Sequence, residues 1–436
     1  NWKIIGRIFD RMDLDGYSGM NKYGNGSWAP ALRYHDGKFW MYVCTPNEGL
    51  FMSTATDPAG PWSPLYQVKN VSGWEDPCPL WDEDGQAYIG RSQLGGGPII
   101  IHKMSADGKT LLDDGRKVYE GPTAEGTKLF LKDGYYYISI PEGGVGTGWQ
   151  TVMRSKNIYG PYEHKVVIQD DSSYPTNGLH QGGMVQLKNG DWWFIIMQDR
   201  GAIGRVPHLL PVKWIDGWPM LGINGHDVSI YQKPNVGKTY PIKSPATTDE
   251  FNSTKLGLQW QWNHNPDNSR WSLTERKGYM RLKASYAKEL TSARNTLTQR
   301  VQGPLSTGTV EMDASGLKNG NVAGFGVFQD PYAYVAVRQD NGIRKLIFCH
   351  KGKQTTVIED LKQDKVWFRA RVTDKDFTAR LYYSLDGKEF SPAGEVLHMD
   401  LGYPWTANRF ALLNYSETQE GIGGIADFNW FRFYNK

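Results

Sequence analysis

Four stretches of the first half share one design. They are Trp28-Ala-Pro-Ala-Leu-Arg-Tyr-His-Asp36-Gly-Lys-Phe-Trp-Met-Tyr-Val43, Asp76-Pro-Cys-Pro-Leu-Trp-Asp-Glu-Asp84-Gly-Gln-Ala-Tyr-Ile89, Glu125-Gly-Thr-Lys-Leu-Phe-Leu-Lys-Asp133-Gly-Tyr-Tyr-Tyr-Ile138 and His180-Gln-Gly-Gly-Met-Val-Gln-Leu-Lys-Asn189-Gly-Asp-Trp-Trp-Phe-Ile195. Each reads as a strand, an Asp-Gly or Asn-Gly turn and an aromatic strand. Those dipeptides tolerate the positive φ angles of a tight hairpin. The turns recur at steps of 48, 49 and 56 residues. Four-stranded units repeating near every 50 residues are the mark of propeller blades. A closing strand is expected about 25 residues after each turn, as at Pro61-Trp62-Ser-Pro-Leu65, Pro161-Tyr162-Glu-His-Lys165, and Lys213-Trp214-Ile215 with Gly217-Trp218-Pro219. Asn1-Trp2-Lys-Ile-Ile-Gly6 resembles one more closing strand, so the reading is a five-bladed propeller whose first blade is incomplete here.

Counted back from the turns, Trp28, Asp76 and Glu125 each lie 8 residues upstream and His180 lies 9. Equivalent positions on innermost strands converge on a propeller's axis. An aromatic wall, two carboxyls and an imidazole are therefore expected around one end of the channel, a small-ligand site.

The repeat stops at the proline-rich stretch Pro234–Thr248, read as a linker between a propeller over 1–233 and a second unit over 249–436. Beyond it come aromatic and β-branched runs such as Tyr332-Ala-Tyr-Val-Ala-Val337 and Val366-Trp-Phe-Arg-Ala-Arg-Val372. No helical periodicity competes, so the expectation is a jelly-roll β-sandwich and an all-β protein throughout.

Composition excludes several classes. The 436 residues carry a net charge of only +3, too balanced for a nucleic-acid or anionic-membrane footprint. No apolar run approaches the ~20 residues of a membrane span. Three cysteines, Cys44, Cys78 and Cys349, make neither a disulfide framework nor a zinc module and read as buried thiols. With 50 glycines and 13% aromatic residues, the chain suits short strands, tight turns and aromatic faces for a ligand. The first residues show no charged n-region or apolar h-region, and compartment stays open.

Gly26-Ser-Trp28-Ala-Pro, Glu75-Asp76-Pro-Cys-Pro, Ala124-Glu125-Gly, the run Gly148-Trp149 to Tyr162, His180-Gln-Gly and Gly204-Arg205-Val-Pro-His-Leu together resemble glycoside hydrolase family 43. Asp249-Glu-Phe-Asn252 through Ala426-Asp427-Phe-Asn-Trp-Phe431 resembles the concanavalin-like sandwich of that family's β-xylosidase branch. The resemblance implies an exo-acting, inverting hydrolase that releases xylose or arabinose from oligosaccharides. It implies that Glu125 is the general acid and that Asp76 orients it and raises its pKa. Trp28 would wall the sugar subsite and Arg205 would bind sugar hydroxyls, with Trp149 and Trp74 as outer-subsite candidates. It implies no cofactor for catalysis. Calcium is expected, if anywhere, at His180 in the channel or at Asp427 and Glu250 in the sandwich.

Plainer roles compete. Asp76 reads equally as a turn residue, His180 as a core histidine donating to a carbonyl, and Arg205 as half of an ion pair. The family's general base belongs on the first innermost strand, one repeat before Trp28 and so upstream of Asn1. Asp10, Asp13 and Asp15 are nearby carboxylates without a supporting motif. A shortened sequence, a natural start at this point and a substitute base all remain open. A four-bladed ring would leave a wedge that invites homo-oligomerisation. The rival functions are a non-catalytic carbohydrate-binding protein and a propeller scaffold for protein partners. The paired axial acids argue against the scaffold.

Overall fold

A computed structural model describes residues 3–18, 22–168, 178–239, 247–400 and 406–435. Four antiparallel four-stranded meanders form the first half. The first runs Trp28–His35, Lys38–Thr45, Gly49–Ala55, Tyr66–Lys69, and the second Trp74–Trp81, Ala87–Gln93, Ile99–Met104, Arg116–Tyr119. The third is Lys128–Lys132, Tyr135–Glu142, Trp149–Ser155, Glu163–Ile168, and the fourth His180–Gln186, Trp192–Asp199, Arg205–Ile215, Trp218–Leu221. Asp36-Gly37 and Asp133-Gly134 adopt positive φ at both residues and close two-residue hairpins, as their sequence requires. Asp84-Gly85 and Asn189-Gly190 instead sit inside longer turns, Asp82–Gln86 and Leu187–Asp191, each closed by a backbone bond between its end residues.

That difference corrects the axial count. Ala29, Asp76, Gly126 and Gln181 all take positive φ, and bulges follow Trp28, Glu75 and His180. The structural equivalents are therefore Trp28, Glu75, Glu125 and His180. Asp76 is one residue further along, because the second hairpin is longer than the first. The closing strands also differ from expectation. Tyr66–Lys69 follows the Pro61–Leu65 run, and Lys213–Ile215 ends the third strand of its sheet. Lys3–Gly6 join no strand, and residues 1–2 lie outside the described residues. Ile8, Phe9 and Leu14 pack instead on Met41, Val43 and Phe51 of the first sheet.

Neighbouring sheets pack first on second, second on third and third on fourth. Among the described residues the fourth and first sheets do not pack comparably on each other. On those two sheets Leu32, Tyr34, Val185, Ile195 and Leu209 are exposed. The arrangement is propeller-like, with four blades among the described residues.

Residues 261–435 build two facing eight-stranded sheets. Their shared core contains Trp260, Phe325, Phe368, Phe410, Phe428 and Phe431, all fully buried. Asp249 ties the first residues of this unit to the last strand. It exchanges backbone bonds with Phe431, and its carboxylate accepts from Trp260 Nε1 at 2.9 Å. Residues 234–239 and 247–248 of the expected linker join no strand, and 240–246 lie outside the described residues. All three cysteines are buried and free. No helix among the described residues is long and apolar enough to cross a membrane.

One loop fastens the two halves. Between the second and third strands of the fourth sheet, Gly201–Ile203 forms a single 3₁₀ turn, and its Ala202 and Ile203 belong to the sandwich core. Asn408 N–H donates to Ala202 O at 2.9 Å. Gly204 must be glycine, because its φ is 89° and a Cβ would lie 2.6 Å from Ala407 Cβ. Ile203→Ala should therefore lower thermal stability, at a cost of about 2 kcal/mol for a truncated, mostly buried isoleucine. An unchanged melting temperature would show that the loop does not secure the interface.

Candidate active site

The bulged starts of the innermost strands point into a cavity of about 1080 Å³. Its floor comes from the propeller, including Trp28, Glu75, Asp76, Glu125, Gln181 and Arg205. Its far wall comes from the sandwich, including Asn263, Arg300, Thr406, Ala407 and Arg409. The docked loop makes this closure possible, since Arg205 and Asn408 flank it on the two sides.

Three carboxyls crowd the floor. Oxygens of Glu75, Asp76 and Glu125 lie within 4.8 Å of one another. Asp76 is 4% exposed, and its Oδ2 accepts from Gly126 N–H at 2.7 Å and from Ser92 Oγ at 3.4 Å. Burial raises the Glu125 pKa to about 7; the Asp76 charge adds to the rise and Arg205 opposes it. Burial likewise raises Glu75 to about 8, with Asp76 and Glu125 contributing. Desolvation thus leads and like-charge repulsion follows. Glu75 was not singled out from sequence. Its signal was there, an acid followed by Asp-Pro at the start of a buried strand.

A second chain of polar groups runs beside them. His180 is 2% exposed, and its Nδ1 donates to Gly178 O at 3.0 Å. Its Nε2 lies 3.7 Å from Asp199 Oδ2, and Arg205 Nε lies 3.3 Å from Asp199 Oδ1. Asp199 is fully buried. The core-histidine and ion-pair readings of His180 and Arg205 thus both apply, and Arg205 lines the cavity as well. Asp199 was invisible in sequence because nothing in Gln198-Asp199-Arg200 separates it from a strand-end turn.

Other expected residues are placed elsewhere. Trp74 does not line the cavity; it carries the Arg91 guanidinium 3.8 Å from its ring centre and tilts against His102. Trp149 does not line it either; its Nε1 donates to Thr151, and its ring packs over Gly143. Asp10 pairs with Arg7 and Asp13 with Arg11, both exposed, and Asp15 is exposed too. None of the three reaches the cavity.

Calcium fits the sandwich poorly. Asp427 binds Arg281 through both carboxylate oxygens and also takes Arg276, while Glu250 pairs with Arg432. These guanidiniums already neutralise the carboxylates a cation would need. At His180, the Nδ1 bond leaves the Nε2 lone pair facing Asp199, a two-residue donor set. The only three-residue cluster with metal-ligand spacing among the described residues is Glu75, Asp76 and Glu125. Two of its members have raised pKa values, so protonation competes with any ion there.

The sequence pattern of glycosyl hydrolases family 43 matches residues 1–219. The chain belongs to this family. Residues 248–434 match the β-xylosidase C-terminal concanavalin A-like domain. The chain is 46% identical over 421 residues to a putative β-xylosidase of Xylanibacter ruminicola, covering 94% of this chain and 78% of that protein. It is 34% identical over 305 residues to a non-reducing end α-L-arabinofuranosidase of Bacteroides ovatus, covering 65% of this chain and 57% of that protein. A bifunctional GH43-CE protein of Bacteroides eggerthii superposes with a TM-score of 0.88 at 35% identity, over all of this chain and 58% of that one.

The raised carboxyls set a pH signature on stability. A carboxyl held protonated in the fold but ionised when unfolded near its ordinary value, about 4.3 for Glu, stabilises at low pH. That stability drains away as pH rises toward 8, because the unfolded state releases its proton first. Glu75→Gln should therefore raise the melting temperature relative to the parent at pH 8 and leave it close to the parent at pH 4. An equal shift at both pH values would detach Glu75 from this titration.

Proposed function

We propose that this chain is an exo-acting, inverting glycosidase that releases xylose or arabinose from xylan-derived or arabinoxylan-derived oligosaccharides, with Glu125 as general acid. The carrying observation is Glu125 itself, half-buried in the cavity with its pKa near neutrality. A group that must be protonated at working pH and then give its proton to a leaving oxygen works best with a pKa near that pH.

Asp76 supports the acid through its charge and is held by Gly126 N–H and Ser92. Its closeness to Glu125 argues against its being the water-activating base, since an inverting pair stands roughly 6.5–9.5 Å apart to admit the water. Glu75, equally close, is excluded by the same distance. Trp28 offers an apolar wall, and Arg205, aimed by Asp199, offers donors to sugar hydroxyls. His180 braces Asp199 from behind. The sandwich closes one side of the cavity, which favours a chain end over a chain middle.

The five-bladed reading belongs to the same proposal. A fifth sheet fits the open side between the first and fourth, and its innermost strand is where the family's base is expected. The apolar residues exposed on those two sheets support this reading. Where they stay uncovered, they favour self-association.

Two variants test the assignment. Glu125→Gln should lower the rate on alkyl glycosides, which have poor leaving groups, by about 10²–10⁴-fold. Activated aryl β-xylosides and α-arabinofuranosides should suffer far less. Equal and negligible losses on both would refute the acid role. Asp76→Asn removes a negative neighbour, so Glu125 should lose its proton at lower pH and the alkaline limb of kcat/KM should move down. An unmoved limb would mean that the two carboxyls do not interact.

A further inference from the structure

The sandwich wall of the cavity carries two arginines in an arrangement that costs stability. Arg300 and Arg409 are paired residue-to-residue across antiparallel strands Leu297–Arg300 and Arg409–Ser416. Like charges directly opposite one another destabilise a sheet. Neither guanidinium forms a salt bridge with a described carboxylate. Arg409 bonds the Tyr23 hydroxyl, makes long bonds to Thr298 Oγ1 at 3.4 Å and Asn263 Oδ1 at 3.3 Å, and sits 5.1 Å from the Phe328 ring centre. Its Nε is buried and has no acceptor. The neighbouring Asn263 Nδ2 is buried and equally unanswered. Arg300, Arg409 and Asn263 all line the cavity.

A buried donor without an acceptor costs about 1–3 kcal/mol. Two such donors beside a repelling pair of cations in one wall call for an anionic acceptor. The floor carboxylates do not fill that role. The charges acting on Glu125 are Asp76, Arg205 and Asp199, whereas those acting on Arg409 are Tyr23 and Arg300. A planar carboxylate suits the fork geometry of guanidinium and the amide beside it. In a sugar-binding cavity, the carboxylate-bearing ligand of the right class is a uronic acid.

We propose that Arg300, Arg409 and Asn263 form a subsite for the carboxylate of a uronic acid branching from the oligosaccharide whose terminal sugar lies against Glu125. The inference rests on the glycosidase reading for the identity of that oligosaccharide. Its test reads binding rather than turnover, so the two stand or fall separately. Failure to release sugar from aryl glycosides counts against the glycosidase reading alone.

The experiment is calorimetric titration of the Glu125→Gln protein with neutral xylotriose and with xylotriose carrying one glucuronic acid branch. The acidic sugar should bind about tenfold more tightly, as a charge-assisted bidentate contact allows. The margin should shrink as salt rises. It should vanish when Arg300→Gln is added, a change that removes no hydrogen bond found among the described residues. It should be reduced by Arg409→Lys, which keeps the charge but loses the fork. An acidic sugar binding no more tightly than the neutral one, including the case in which neither binds, overturns the subsite. So does a preference that survives both substitutions. Free glucuronate binding as tightly as the branched sugar would assign the site to a small acid and overturn the substrate-borne reading.

Discussion

Three carboxyls lie within 4.8 Å of one another in a half-closed cavity, where burial first and mutual repulsion second raise the pKa values of Glu75 and Glu125. This constraint organises the rest of the site. Asp76 accepts from Gly126 N–H and from Ser92 Oγ. Glu75 accepts from Gly96 N–H at 3.4 Å and from Ser92, yet burial raises its pKa, as it raises that of Glu125. Asp76 has positive φ and reaches the amide of Gly126, itself at positive φ just before the next sheet. A positive-φ residue repeated at the start of each innermost strand thus gathers the acids.

Crowding alone would be relieved by water if the cavity were open. The loop through Gly201–Ile203 prevents this, because it anchors the fourth sheet in the sandwich core and brings Asn263, Arg300 and Arg409 over the floor. Desolvation is the largest cause of the Glu125 shift, so the sandwich acts on the chemistry by lowering the polarity of the space above it. Asp199 and Arg205 flank the same loop, and docking fixes the cation that offsets part of the shift.

Much of this was legible in sequence. The Asp-Gly and Asn-Gly turns marked the blades because few other dipeptides accept two positive φ angles, and the blades located Trp28, Glu125 and His180 on the axis. The same markers misled by one residue at Asp76, since two hairpins are longer than a two-residue loop and sequence spacing does not reveal loop length. Glu75 escaped for that reason. Trp74 and Trp149 were placed at outer subsites on residue type, but a tryptophan's partners, here Arg91 and Gly143, are tertiary facts. Asp427 looked like a cation ligand, but arginines 146 and 151 residues earlier in the chain hold it. The Arg300–Arg409 pair depends on the register of two strands far apart in sequence.

The cavity raises the Glu125 pKa to about 7, chiefly through burial and secondarily through Asp76. A carboxyl-carbon NMR titration with ¹³C-labelled glutamate, assigned by comparison with Glu125→Gln and Glu75→Gln, measures this without reference to any substrate. The Glu125 midpoint should lie at about 7 and fall in Asp76→Asn. A midpoint near the ordinary glutamate value of about 4.3, indifferent to Asp76, would contradict it.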